Sequence, residues 1–466
     1  MINVVTTGLV CSVAASLCAA GGQTERLYYD AVEAGGTLVG GVIEVPMVAH
    51  EHRHLGGRAV STQIWGSGPS SNRVDLVVVG DGYIADELGL YATHASDVVG
   101  ALFGIEPLAT YGPCFLAHRV DVISNESGVD NDPTDGIDRD TAMDMGFFCY
   151  GIERLLCVNV SKAVGFAGAA PQQEQIIAIA NSTKYGGAGY ASSNLGTVSG
   201  GNGSAFDVAI HEFGHSMADL ADEYHYGDGA TYTGGETGAV NTSILTEAEM
   251  AASGTKWSEW LGENQPAWDG LVSTYEGAAY HEYGIYRPSN NSMMRSLARP
   301  FNLIAAEAFI LEIYATIDPL DDHSPTDDPL NGDEVLYVDP IDLTGHALSV
   351  QWSIDGVPIP GATGATLDLS SVDLLGAIEV SVRVVDETPW VRDEAARASL
   401  MSRDLAWTID LPCAGDLDGN GAVTVNDVLI VVGSFGQVGG AGDADGNGVV
   451  NANDLLVVLG GWGACP

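Results

Sequence analysis

His211-Glu212-Phe213-Gly214-His215-Ser216-Met217-Ala218-Asp219-Leu220-Ala221-Asp222-Glu223-Tyr224 is the stretch on which the reading of this chain turns. Histidines four apart lie on one face of a helix, about one turn apart, so both imidazoles reach a single metal ion. Glu212 between them reaches a water held at that ion. The helix has a start signal: Ser204, three residues before Asp207, forms a capping-box pattern behind the breaker Gly200-Gly201-Asn202-Gly203. A catalytic zinc takes three protein ligands and keeps one position open. Asp222 is the first choice for the third ligand and Glu223 the alternate. A helix carried straight on would move both acids away, so the chain is expected to turn within 218–221. The acid not used is expected to orient a ligand histidine or cap the turn.

Outward from this centre, strand-like runs alternate with helical ones. Arg73–Val79 (RVDLVVV), Cys114–Ser124 (CFLAHRVDVIS) and Gln175–Asn181 (QIIAIAN) read as buried strands, Ala85–Phe103 and Phe301–Ile317 as helices. The pattern predicts an α/β catalytic domain over 71–317. A β-rich segment, 21–70, precedes it. After a Pro/Asp-rich linker from Asp318, alternating strands up to Pro412 predict an immunoglobulin-like β-sandwich over 318–412. Val4–Ala20 is a short apolar run ending in small residues before Gly21-Gly22, which reads as a signal peptide over 1–20. With it go Cys11 and Cys18. Cys149 with Cys157, and Cys413 with Cys465, are spaced as two disulfides suited to an oxidising compartment. Cys114 is left as a buried thiol.

The 466 residues carry 17 Lys+Arg against 62 Asp+Glu, a net charge of −45. That balance disfavours nucleic acid and anionic membrane surfaces as partners. No phosphate-cradling loop or Ser/His/Asp elbow stands in the sequence, and no later segment is long and apolar enough to span a membrane. The lysine-poor surface reads as one hydrated for salty surroundings outside the cell.

Several spaced motifs resemble the IgA-peptidase family of zinc metallopeptidases, metallopeptidase family 64, across roughly residues 66–317. The carriers are Gly68–Leu76 (GPSSNRVDL) with Gly80-Asp81-Gly82-Tyr83, Arg119–Val129 (RVDVISNESGV), Asn181–Gly187 (NSTKYGG), His211–Tyr224 and Tyr286–Arg295 (YRPSNNSMMR). The resemblance implies an endopeptidase of zincin-like, metzincin-like fold. Ala221 sits six past His215, where most metzincins carry a third histidine. The likeness of Asp222-Glu223-Tyr224 to the acidic-tyrosine element of immune-inhibitor-A-type proteases favours Asp222. Ser292-Met293-Met294-Arg295 resembles the methionine-bearing turn beneath the zinc, core packing being the alternative for Met293 and Met294. Tyr286, Arg287 and His281 are unranked candidates for stabilising an oxyanion. Gln175–Asn181 is read as the edge strand against which an extended substrate pairs.

The C-terminus repeats itself. Asp416, Asp418, Asn420, Ala422, Thr424 and Asp427 recur 27 residues later as Asp443, Asp445, Asn447, Val449, Asn451 and Asp454. Oxygen donors fall at loop positions 1, 3, 5, 9 and 12, position 7 offers its carbonyl, and a glycine holds position 6; this is calcium-loop spacing. Aspartate rather than glutamate closes each loop, and one helix rather than two flanks it. Over 413–466 this resembles dockerin type I repeats, which implies a small α-helical module docking to a cohesin-like partner or a cell-surface anchor. The acidic run Asp130, Asp132, Asp135, Asp138 and Asp140 reads as a solvated loop, with further structural calcium as the alternative.

The sequence thus predicts a secreted or cell-surface zinc metalloendopeptidase. Zn²⁺ is held by His211, His215 and an acid, Glu212 serves as general base to the zinc-activated water, and two Ca²⁺ sit in the C-terminal repeat. The competing expectation is a non-catalytic adhesion protein built on an inactive zincin domain.

Overall fold

The computed structural model describes residues 24–32, 38–46, 59–372, 374, 378–410, 413 and 415–464. The expected leader, the alternating His50, His52 and His54, which read from the sequence as a polar stretch rather than a metal site, and Cys465, expected to pair with Cys413, lie outside them. Two compact units are present. The first comprises residues up to Asp318 together with Ile341–Ala347 and Thr388–Met401; the second takes Pro319–Pro340, Leu348–Glu387 and Ser402 onward.

The first unit is built on an eight-stranded mixed sheet. Its strands are β1 (Thr24–Val32), β2 (Leu38–Pro46), β3 (Val60–Trp65), β4 (Val74–Asp81), β5 (Phe115–Asp121), β6 (Gln175–Ala180), β7 (Gly187–Tyr190) and β8 (Leu195–Ser199), in the order β2-β1-β7-β8-β6-β4-β5-β3. β5, β4, β6 and β8 run parallel, whereas β3, β7, β1 and β2 each pair antiparallel with their neighbours. Every residue of β4 is buried, as a strand covered on both faces requires. Side-chain alternation divides it: Val77 and Val79 enter a core with Met143, Phe147, Leu155 and Ala163, the last on helix α2 (Val160–Ala167). On the opposite face lie α1 (Leu88–Leu102) and α3 (Ala205–Ala218), and α4 (Leu303–Thr316) packs against α3.

Gln175–Asn181 is not an edge strand. β6 is hydrogen-bonded on both sides, to β8 and β4. Its uninterrupted buried run QIIAIA marks a strand covered on both faces, and hydrophobicity alone says nothing about which ladder edges are filled.

Three of the family-like motifs meet at the carboxyl ends of β4 and β6. The buried Asp81 carboxylate accepts from Ser124 Oγ (3.0 Å), Thr141 Oγ1 (2.9 Å) and the amides of Met143 and Met145 (3.0 and 2.8 Å). Asn181 Nδ2 donates to Gly82 O at 2.9 Å and to Glu87 at 3.0 Å. Gly82 has φ +74° and a side chain there would strike the Gly128 carbonyl, so glycine is obligatory. These bonds pin the long excursion from β5 to α2. Within it Cys149 and Cys157 are disulfide-bonded, and Cys114 is a buried thiol.

Two antiparallel strands, β9 (Tyr275–Ala278) and β10 (His281–Arg287), form a hairpin after α3. The second unit has a three-stranded sheet of β11 (Leu320–His323), β12 (Val335–Pro340) and β14 (Thr366–Asp368), in the order β11-β12-β14. A second sheet contains β13 (Ser349–Ile354), β15 (Glu379–Val385) and β16 (Ser402–Thr408). Buried Trp352 and Trp407 stack there with centroids 5.7 Å apart. The segment expected to be a linker therefore contributes a paired strand. Helices α5 (Val425–Gly433) and α6 (Ala452–Gly460) close the chain around Val423, Val431, Val450 and Val458. Among the described residues no helix is long and apolar enough to cross a membrane.

Candidate metal centre

Helix α3 runs to Ala218 and stops where Asp219 turns left-handed (φ +47°). Its start differs from the sequence expectation. Ser204 makes no side-chain cap; its amide instead donates to Asn202 Oδ1 at 2.9 Å, and the Asp207 carboxylate is engaged by the Ala298 backbone. The Gly200–Ser204 turn is built by Asn202. At the other end Leu220 N donates back to Gly214 O at 3.2 Å, so the chain reverses within the interval where a turn is required.

That reversal returns Asp222 to the histidines. His211 Nε2 and His215 Nε2 are 3.1 Å apart, and Asp222 Oδ1 stands 3.1 Å from the first and 3.4 Å from the second. Each histidine's other nitrogen faces a carbonyl: His211 Nδ1 meets Met293 O at 3.0 Å and His215 Nδ1 meets Leu220 O at 2.6 Å. Each Nδ1 thus has a carbonyl to donate to, and both Nε2 atoms are turned to the same point. All three side chains are at most 1 % exposed. Burial alone would raise the Asp222 carboxyl, but the facing His215 and His211 hold it below the usual carboxylate range. Two imidazoles and a carboxylate, converging in a buried pocket, fit a divalent transition metal.

Asp222 and Glu223 diverge. Asp222 O accepts from Ala279 N at 2.9 Å and Glu223 N donates to Met294 O at 2.8 Å, so the backbone is held on both sides. The Glu223 carboxylate points away from the donors and accepts from Asn302 Nδ2 (2.9 Å), Asn241 Nδ2 (3.0 Å) and Ser292 Oγ (2.7 Å). Burial pushes it above its ordinary value, against those hydrogen bonds. It ties together the turn after α3, the Ser292–Met294 turn and the N-cap of α4. Asn241 brackets the same turn, exchanging 2.8 Å bonds with Ala221 N and O.

Met293 and Met294 lie beneath the donors. A side chain at Gly214 would come within 2.7 Å of Met294 Sδ, so the glycine between the histidines is what lets the methionine approach the helix. Glu212 is 1 % exposed and packs on β7: a side chain at Gly189 would fall 2.7 Å from Glu212 Oε2, and one at Gly187 would fall 3.6 Å from Oε1.

The oxyanion candidates are not gathered in this way. Arg287 is buried and donates to the carbonyls of Glu276, Gly277 and Asn290; burial, with Arg295 nearby, lowers it to about 10. Tyr286 lies opposite Glu276 in the β9–β10 ladder. His281 Nδ1 faces Ala279 O at 2.6 Å, and its ring meets Tyr232 edge-on. The residue that sequence reasoning missed is Tyr280, whose hydroxyl donates to Asp222 Oδ2. Tyr280 has φ +69° and an Ala279 neighbour at +44°, and no local motif marks that turn.

Among the described residues, two further donor groups converge: Asp416, Asp418 and Asp427, and Asp443, Asp445 and Asp454. Asp427 closes its loop by accepting from the amides of Leu417, Asp418 and Thr424, and Asp454 from those of Asp445 and Asn451. Asn420 N donates to Asp418 Oδ1, and Asn447 N likewise to Asp445 Oδ1. The acids of 130–140 form no such group. Asp130 is spent on Arg139 N and Asn131 on Gly136 N, which organise that loop by themselves.

The sequence profile of a family described as IgA Peptidase M64 matches residues 62–271 and 266–313, more than half of the chain. No curated protein matches it.

Proposed function

The chain belongs to the IgA peptidase M64 family of metallopeptidases, and from that premise we propose that it is a zinc-dependent endopeptidase of metzincin-like fold. His211, His215 and Asp222 hold the ion, and Glu212 is the general base. The observation that carries this reading is the convergence of His211 Nε2, His215 Nε2 and Asp222 Oδ1 on one point, with Glu212 on the helical turn between the histidines. Zinc bound there supplies a Lewis acid and lowers the pKa of a water at its open position. The Glu212 carboxylate takes the proton of the attacking water and passes it to the leaving amine. The Met293 and Leu220 carbonyls fix the imidazole tautomers, and Tyr280 fixes which Asp222 oxygen faces them. Arg287 is committed to backbone carbonyls and the Tyr280 hydroxyl to Asp222, so His281 and Tyr286 are the candidates left to meet a developing oxyanion.

The disulfide at Cys149–Cys157 and the Val4–Ala20 leader support export to the cell surface or beyond. The two antiparallel sheets of the second unit, one of them centred on the stacked Trp352 and Trp407, support an immunoglobulin-like sandwich. The paired carboxylate loops support a dockerin-type calcium module over 413–466. Its helices expose Val425, Leu429, Val432, Leu456 and Leu459, an apolar face suited to a cohesin-like partner.

The deciding experiment is Glu212→Gln. Casein cleavage should fall by about 10²–10⁴-fold, with one zinc per chain retained by metal analysis. Undiminished cleavage sinks the assignment, and a wild-type chain that binds zinc yet cuts no peptide library returns the adhesion reading.

A further inference from the structure

β7 is the last strand of the family-matched part of the sheet, and its inner ladder edge is filled by β8. Glu212 lies against Gly189 and Gly187 of this strand, and His215 Cβ would stand 3.4 Å from a side chain at Gly189. The outer edge of β7 is therefore the rail beside the metal donors that an extended peptide crossing the site would pair with. In this chain that rail is already taken. β1, from outside the matched region, pairs antiparallel with it through Leu27↔Tyr190 and Tyr28↔Gly189. Tyr28 lays its ring flat on His215, with centroids 4.3 Å apart and an interplanar angle of 12°, and is 8 % exposed. Glu25 adds a polar clasp, accepting from Ser193 Oγ at 2.7 Å just beyond β7.

The attachment is short beside the hairpin's own ladder. β1 and β2 are registered from Thr24↔Pro46 to Val32↔Leu38, whereas the described pairing with β7 covers only two positions. A unit that satisfies most of its backbone internally leaves its neighbour at little hydrogen-bonding cost. Opposing departure, Leu27 and Val45 are buried in the core shared with Leu155 and Tyr190.

We propose that the β1–β2 hairpin is an intramolecular occupant of the substrate strand position on β7, with Tyr28 capping His215, so that the chain is latent while the hairpin is seated. The proposal rests on the peptidase reading for the meaning of latency, but the occupancy it asserts is testable without catalysis.

A recognition sequence for a site-specific protease, inserted between Pro46 and Val60 of the full chain, allows the hairpin to be cut free. The first readout uses the Glu212→Gln background, where no turnover interferes. A short hydroxamate-capped peptide, followed by calorimetry on the zinc-loaded protein, should bind at least about tenfold tighter after release, because a site open less than a tenth of the time weakens apparent affinity by that factor. Deuterium uptake at Gly187–Tyr190 should rise in step. With Glu212 intact, casein cleavage should increase likewise, and synthetic peptide 24–46 should suppress it. Tyr28→Ala in the uncut chain should raise cleavage and speed zinc loss to a chelator. Equal hydroxamate affinity before and after release, or release that unfolds the domain, makes the hairpin a structural strand and overturns the proposal. Tighter hydroxamate binding without cleavage by the Glu212 chain upholds the occupant and sinks the peptidase reading instead.

Discussion

In the C-terminal loops every carboxylate of a cluster comes from one short stretch, Asp416 to Asp427 or Asp443 to Asp454, and the backbone amides of that stretch complete the turn. At the histidine centre the third donor stands 11 residues beyond His211, and the carbonyl that fixes His211 comes from Met293, 82 residues away. Each loop gathers one half-buried, one exposed and one buried acid against their own repulsion. The histidine centre is buried and is braced by Glu223, Asn241, Ser292 and Asn302, none of which offers a donor to the metal. The difference teaches that one kind of site is specified by a single stretch of sequence and, with calcium proposed there, would lean on its ion, while the other is assembled by the fold from distant segments.

The largest expected effect separates Asp222 from its neighbour. Asp222→Ala should weaken zinc binding by more than the roughly 10–100-fold typical of changes to residues that merely orient a ligand, as read by competition with a chromogenic chelator. Glu223→Ala should leave zinc stoichiometry at one. If the two variants behave alike, the contrast between donor and brace fails.

Calcium removal comes next. With two Ca²⁺ proposed in the loops, a calcium chelator should cause amides of 416–427 and 443–454 to exchange rapidly while those of α3 stay protected, by hydrogen exchange. Protected loops in the chelated protein would break the comparison from its other side.

Glu223→Ala should also destabilise the first unit, by about 1–3 kcal/mol, because Asn241, Asn302 and Ser292 each lose a buried acceptor. Thermal unfolding measures this, and Glu223→Gln, which keeps an acceptor oxygen, should recover part of it.

The smallest effect concerns acid. The Thr424 amide, then those of Leu417 and Asp418, hold the Asp427 carboxyl below its ordinary value of 3.8 despite desolvation. A carboxyl that binds its proton less readily when folded contributes stability above 3.8, and loses it as pH falls through the folded value. The Asn451 amide acts first on Asp454 in the same way. Titrated without calcium below pH 4, the C-terminal helices should therefore melt before the first unit does, by residue-resolved NMR.

Much of this was legible in sequence for reasons of spacing. Histidines at i and i+4 share a helix face whatever surrounds them, and a loop with donors at fixed positions and glycine at the sharp turn carries its own geometry. The buried runs at 74–81 and 175–180 identified central strands by composition, though not their neighbours in the sheet, and the edge assignment of Gln175–Asn181 failed on that point. The Ser204 cap failed because Asn202 and the Ala298 backbone offered stronger partners.

The sequence by itself determined the family, the histidine pair with its glutamate, and the necessity of a turn before Asp222. Only the tertiary structure decided that Asp222 faces the donors while Glu223 becomes a buried brace, that Tyr280 reaches Asp222, and that Tyr28 lies on His215. Those outcomes depend on which distant backbone groups approach each side chain, and a one-dimensional pattern encodes the local period of a chain rather than the partners that folding brings to it.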